Sequence, residues 1–156
     1  MRLPKWPSKI FACICSWAGQ TRPARLQGTR LSIAERISWQ GMLQGDDKWG
    51  AFYAAAVFCL PSYQENFGIV VAEKLACSKP VLISNKVNIW REIESDAAGF
   101  VDADTVGGTV SNLLRWLAMV ADRYAAMSER ARRCFVTRFH TQREPGRLVE
   151  IIGTSR

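Results

Sequence analysis

Two carboxylates, Glu65 and Glu73, stand with seven residues between them in the stretch Ser62-Tyr63-Gln64-Glu65-Asn66-Phe67-Gly68-Ile69-Val70-Val71-Ala72-Glu73-Lys74-Leu75-Ala76-Cys77. Apolar runs flank it, Val57-Phe58-Cys59-Leu60-Pro61 before and Pro80-Val81-Leu82-Ile83-Ser84 after. The order reads as strand, polar loop, helix and strand, one βαβ unit of a parallel sheet. Glu65 falls in the loop and Glu73 inside the helix. The neighbours of Glu73 at three and four positions either way are Ile69, Val70, Ala76 and Cys77, all apolar. A helix that is apolar nearly all round is a buried one, and burying a carboxylate without a partner is costly. Glu73 is therefore expected to need a partner, which a ligand could supply. The competing reading is a peripheral helix residue facing water beside Lys74.

Glu65, Asn66, Phe67 and Gly68 precede the helix. Free backbone N–H groups and the positive end of the helix dipole favour an anion there. Gly68, having no side chain, lets the backbone come close to a ligand. In open α/β sheets ligands bind outside the carboxyl ends of the strands, where this loop belongs. Together these features describe a site for a phosphate-bearing ligand with hydroxyl groups. The bare spacing of the glutamates is common by chance; the surrounding element order and the Asn-x-Gly turn give it weight.

Leu60-Pro61-Ser62, Glu65-Asn66-Phe67-Gly68 and Glu73 resemble the Glu-x7-Glu signature of retaining glycosyltransferases of family 4. The similarity continues through Gly41-Met42-Leu43 and Gly45-Asp46-Asp47-Lys48 before the signature and Val87-Asn88-Ile89-Trp90-Arg91-Glu92-Ile93 after it, covering roughly Ser38 to Phe139. The resemblance implies the GT-B fold, two Rossmann-like domains facing a cleft, with this chain as the C-terminal, donor-binding portion. It implies transfer of a sugar from a nucleotide-diphosphate donor with retention, in polysaccharide or glycoconjugate synthesis. Glu65 would lie beside the donor sugar as the catalytic residue, and Glu73 would accept hydrogen bonds from the ribose hydroxyls. The backbone of Asn66, Phe67, Gly68 and Ile69 would contact the sugar and diphosphate. No metal and no cofactor are expected, the nucleotide sugar being a substrate. The acceptor domain would come from elsewhere, and the complete enzyme would associate peripherally with a membrane.

The family's early Gly-Arg…Lys-Gly stretch carries cations that hold the diphosphate and stabilise charge on the leaving group. No such stretch precedes Trp39. The site is thus expected to be half present, and the chain to be a truncated form with little activity alone. A non-catalytic fragment or interaction module that keeps the half-fold is the competing reading. Another GT-B enzyme, such as a sugar-nucleotide epimerase, fits the Asn-Phe-Gly turn and the Val-Asn-Ile-Trp-Arg-Glu stretch less well.

With 156 residues the chain can bury one substantial core. No run of apolar residues is long enough for a transmembrane helix. The five cysteines, Cys13, Cys15, Cys59, Cys77 and Cys134, form no Cys-x-x-Cys pair. They read as reduced thiols in a cytoplasmic protein. A single histidine, His140, excludes a multi-histidine metal site. The net charge of +7 is concentrated in residues 1–30, which hold six basic residues and no acid, against 15 basic and 14 acidic residues in the remainder. A basic tail on a neutral domain suggests nucleic acid much less than a basic domain would, so no nucleic-acid partner is expected; binding through the basic leader and the Arg-rich last helix is the competing reading.

The strand-loop-helix-strand order calls for an α/β fold, a Rossmann-like parallel sheet flanked by helices, and the resemblance implies that it forms a partial GT-B C-terminal domain. Residues 1–30 are expected to be a poorly ordered basic leader, broken by Pro4, Pro7 and Pro23. Their apolar patch, Ile10 to Ala18, is interrupted by Ser16 and resembles an export signal only faintly. The donor-binding domain occupies 31–142, and 143–156 is a tail. Strands are expected at Arg36–Gln40, Val57–Leu60, Val81–Ser84 and Gly99–Val101. Asp46 or Asp47 is expected to cap a helix reaching about Ala55. Further helices are expected at about Phe67–Cys77, Ile89–Glu94, Thr109–Val120 and Ala121–Phe139. Asn85-Lys86-Val87-Asn88 makes a second loop on the sheet edge of Glu65. The helix from Thr109 carries Val110, Leu113, Leu114 and Leu117 on one apolar face. Arg130, Arg132, Arg133 and Arg138 give the last helix a solvated basic side.

Overall fold

The computed structural model describes residues 43–63 and 68–140, with 12–13, 29–30, 32, 35, 37–38 and 40 besides. Four parallel strands form one sheet in sequential order: β1 (Ala12–Cys13), β2 (Val57–Leu60), β3 (Val81–Ser84) and β4 (Gly99–Asp102). Every residue of β2 and β3 is buried, as a parallel sheet covered on both faces requires. Successive side chains point to opposite faces. Phe58, Leu60, Val81 and Ile83 enter one core cluster; Val57, Cys59 and Leu82 enter the other.

The helices are α1 (Gly45–Ala54), α2 (Ile69–Ala76), α3 (Trp90–Ser95), α4 (Val106–Leu117) and α5 (Ala121–Cys134), the last continued by a π-helical turn over Phe135–Phe139. α2 and α3 are the crossovers between neighbouring parallel strands, and a common hand places such crossovers on one face. Val71, Leu75 and Ile93 accordingly join the first cluster, while α4 delivers Trp116 to the second. α5 passes the amino ends of the strands. Tyr124 Oη donates to the Ala56 carbonyl just ahead of β2 at 3.0 Å, and Arg130 Nε donates to the Ala97 carbonyl ahead of β4 at 3.0 Å. The opposite edge, where the strands end, is left to the loops.

The structure corrects several expectations. Ala12–Cys13 lies within the expected leader, yet it pairs with β2 in register, Ala12 opposite Val57 and Cys13 opposite Phe58. Of the strand expected at Arg36–Gln40, the described residues 37, 38 and 40 belong to neither strand nor helix. Asp46 and Asp47 do not cap α1. The N-cap is Gln44, without a side-chain cap bond, and the acids sit in the first turn, where the helix dipole favours them. α4 starts earlier than Thr109 because Thr105 Oγ1 accepts from the Gly108 N–H at 3.0 Å, an N-cap that closes the first turn at Val106. Its buried residues are Gly108, Asn112 and Trp116, four residues apart in turn. Of the expected face only Leu113 packs on the core; Val110, Leu114 and Leu117 are exposed. A Cβ on Gly108 would run into the Ala103 carbonyl, so this glycine sets how closely α4 approaches the end of β4.

The basic side of α5 is also more than a solvated face. Arg132 Nη1 donates to the Ala76 carbonyl at the end of α2 at 2.7 Å, and Arg138 pairs with Asp96 at the end of α3. Carbonyls at helix C-termini lack intrahelical donors, and arginine supplies them.

Candidate functional site

β2 delivers the chain to the open edge of the sheet, and α2 carries it back. The loop between them, residues 64–67, lies outside the described residues, so Glu65, Asn66 and Phe67 have no geometry to report. Both ends of the loop are described. On the near side the Ser84 hydroxyl, at the end of β3, donates to the Ser62 carbonyl and accepts from the Lys86 N–H at 3.3 Å. The loops after β2 and β3 are thereby tied together at one edge. On the far side Gly68 is buried and takes a left-handed conformation, φ +58, as the N-cap of α2. Any Cβ there would also come within 2.9 Å of Ile89 Cγ1. Backbone and space thus both demand glycine. Ile89 belongs to the loop entering α3, so Gly68 is the point where the motif loop and the second edge loop touch.

Ile69 is partly exposed at the start of α2, and the N–H groups of this first turn have no intrahelical acceptors. The ladder begins with Ala72 N–H donating to the Gly68 carbonyl at 2.9 Å. Glu73 follows one turn along. Its side chain is 22 % exposed rather than wholly buried, and Oε1 accepts from Lys48 Nζ at 2.6 Å. Oε2 is shielded from water and has no hydrogen-bond partner among the described residues. The partner that its apolar neighbourhood demanded is therefore a lysine of α1, twenty-five positions upstream.

Lys74, which the competing reading placed beside a water-facing Glu73, is fully buried. Its ammonium lies 2.9 Å from the centroid of the Phe52 ring and 4.8 Å from that of Phe58. Lys48 Nζ stands 5.4 Å from the same Phe52 ring and 5.4 Å from Trp49. One aromatic ring of α1 thus has a cation against it from each helix, an arrangement favoured by the ring quadrupole. Neither lysine was singled out in the sequence; Lys48 is marked there only by its place in the Gly45-Asp46-Asp47-Lys48 stretch.

Further along the same edge, the Asp102 carboxylate caps the end of β4. A hydrogen bond from Ser111 and one from the Ala103 N–H, at 2.8 Å, hold it below the usual carboxylate range. Asn112 Nδ2 donates to the Ile83 carbonyl at 3.1 Å and fixes α4 to β3. Cys59, Cys77 and Cys134 are buried free thiols, and burial pushes Cys59 up to about 11. Among the described residues no three His, Cys, Asp or Glu side chains gather as a cation site, and no helix is long and apolar enough to cross a membrane.

The comparisons with known proteins agree with this architecture. A solved sucrose-phosphate synthase from Thermosynechococcus elongatus has the same fold over 85 % of this chain and 34 % of its own, with a TM-score of 0.65 at 21 % identity. A D-inositol 3-phosphate glycosyltransferase of Salinispora arenicola (strain CNS-205) is 27 % identical over 158 residues, 97 % of this chain. An O-antigen chain mannosyltransferase B of Escherichia coli is 30 % identical over 81 residues, 52 % of this chain. The chain spans 35 % of the length of the first of these relatives and 21 % of the second. The family model for glycosyl transferases group 1 matches residues 9–133, which takes in most of the stretch read as a leader. The chain belongs to the glycosyl transferases group 1 family.

Proposed function

We propose that this chain is the C-terminal, donor-binding portion of a retaining glycosyltransferase of family 4, using a nucleotide-diphosphate sugar in glycoconjugate or polysaccharide synthesis. The observation that carries the reading is Glu73 Oε2, a carboxylate oxygen shielded from water and without a partner among the described residues. It sits one turn into a helix whose N-terminus opens at the carboxyl edge of a parallel sheet. Leaving such an acceptor unmade is expensive, and a ribose hydroxyl is a donor of the right kind. The free N–H groups at the start of α2, with Gly68 allowing close approach, suit a diphosphate. Glu65 is assigned to the donor sugar as the catalytic carboxylate, and the backbone of Asn66, Phe67, Gly68 and Ile69 to the sugar and diphosphate. No metal enters this scheme. The buried, unpaired thiols fit a reducing compartment, the cytoplasm.

The roles of the two glutamates separate experimentally. Glu73→Ala should weaken nucleoside diphosphate binding to the full chain by about tenfold or more, since a hydrogen bond to a charged group is worth roughly that. Glu65→Gln should leave that binding intact and remove sugar transfer once an acceptor domain is supplied. Titration by calorimetry reads the first, and product formation from a sugar nucleotide reads the second. Equal loss of binding in both variants would contradict the division, and unchanged binding in Glu73→Ala would remove the ribose assignment.

A further inference from the structure

We infer that Lys48 is a positioning residue of the donor site, fixing the Glu73 carboxylate for the ribose hydroxyls; the inference rests on the donor reading of Glu73 given above. Lys48 lies in the first turns of α1 and Glu73 in the first turns of α2, and both helices begin at the carboxyl edge of the sheet. The 2.6 Å contact between Lys48 Nζ and Glu73 Oε1 is a charge-assisted hydrogen bond, and both side chains are largely withdrawn from water. A glutamate has three rotatable side-chain bonds and would otherwise sample several carboxylate positions. Here one oxygen is anchored, which narrows the positions open to the other. An ionised carboxylate offers about four lone-pair sites. Lys48 takes one of them, leaving enough for both hydroxyls of a ribose.

The ammonium is held in turn. It stands 5.4 Å from the Trp49 and Phe52 rings, and the buried Lys74 ammonium lies 2.9 Å from the centroid of the same Phe52 ring. Like charges repel, so a second cation at the same ring disfavours a Lys48 side chain turned toward it and favours the observed contact with the carboxylate. A pair that merely tied α1 to α2 would need none of this. It would equally well leave Glu73 with both oxygens satisfied, whereas Oε2 has no partner among the described residues. The asymmetry leaves one oxygen anchored and the other an unmet acceptor, which a ligand hydroxyl brought against it would satisfy.

The test compares ribose with deoxyribose nucleotides on the full chain: UDP, GDP and ADP against their 2′-deoxy counterparts, with wild type, Lys48→Met and Lys48→Arg. Wild type should prefer its ribonucleotide about tenfold or more. Lys48→Met should lose affinity for the ribonucleotide and little for the deoxynucleotide, so that the preference falls at least threefold or so. Lys48→Arg, which keeps the donor, should restore most of it. A loss of both nucleotides in parallel, with the preference intact, would show a structural role only and overturn the inference while sparing the donor reading. A wild-type chain that binds neither nucleotide, or both equally, would overturn the ribose assignment of Glu73 and this inference with it. Thermal unfolding of each variant accompanies the titrations, and the preference ratio is internal to each protein, so partial destabilisation does not imitate the expected result.

Discussion

A glycine with φ +58 and a buried environment gives the site its sharpest sensitivity at the scale of a residue. Gly68→Ala meets two separate obstacles. The left-handed conformation costs a non-glycine residue about 1–2 kcal/mol, and the new Cβ would stand 2.9 Å from Ile89 Cγ1. The expected outcome is a loss of about 2 kcal/mol or more in urea unfolding. The same change with Ile89→Ala should recover the steric part of that loss and leave the backbone part. If the two substitutions were simply additive, the contact between the motif loop and the α3 entry would not be the source. Gly68 was singled out in the sequence for the room it leaves a ligand, while its left-handed conformation is a finding of the fold. Its contact with Ile89 was not legible in the sequence, since nothing in residue type ties a loop to one twenty-one positions on. The same limit hid the pairing of Glu73 with Lys48: apolar neighbours announce that a partner is needed, but the partner's position is a property of the sheet order.

Among the elements, the strands were easier to read than the helix faces. Val57–Leu60 and Val81–Ser84 stand out as short apolar runs because a strand covered on both sides leaves no polar alternation to interpret. β1 was missed because two residues carry no period. In α4 the apolar set Val110, Leu113, Leu114 and Leu117 follows helical spacing, yet so does Gly108, Asn112 and Trp116, and the second set is the buried one. A buried asparagine disguises the true face. Its Nδ2 is satisfied by the Ile83 carbonyl, a partner that only the fold provides. The reversal is testable. Trp116, 1 % exposed, should cost about 3–5 kcal/mol when truncated to alanine. Leu114, 60 % exposed, should change stability by no more than about 0.5 kcal/mol when replaced by serine. Denaturant midpoints for the two variants decide it; comparable losses would restore the face read from sequence.

For the whole molecule, the decisive element is the one at the amino ends of the strands. α5 runs beneath the amino ends of the strands and ties down the C-termini of α2 and α3, away from the edge where the strands end. Its basic residues looked like a solvated face in the sequence because arginine at helix surfaces is ordinary, and only the fold brings helix ends under them. The strongest of these ties is the two-pronged pair of Arg138 Nε and Nη2 with Asp96, each contact 2.6 Å. Hydrogen bonding from Arg138 holds the Asp96 carboxyl below its ordinary range, with a smaller contribution from Cys134. Cys134 is itself pushed up to about 12, first by burial and then by that carboxylate. An acid whose pKa is lower in the folded chain stabilises the fold at pH values above its unfolded value, about 3.9. That contribution is lost as pH falls from there through the depressed folded value. The pair is partly exposed, so its worth is discounted to about 1 kcal/mol or less. Asp96→Asn should therefore be less stable than wild type at pH 7 by up to about 1 kcal/mol, with the gap closing below about pH 4. Urea unfolding of both proteins across pH 2–7 measures the gap, and every other carboxylate titrates alike in the two and cancels. A gap that stayed constant into acid would mean that the carboxylate's charge is not what binds α5 to α3, and that the junction is held by the packing of Cys134 and Phe135 and by the hydrogen bonds of Arg130 to the Ala97 carbonyl and Arg138 to Ser95.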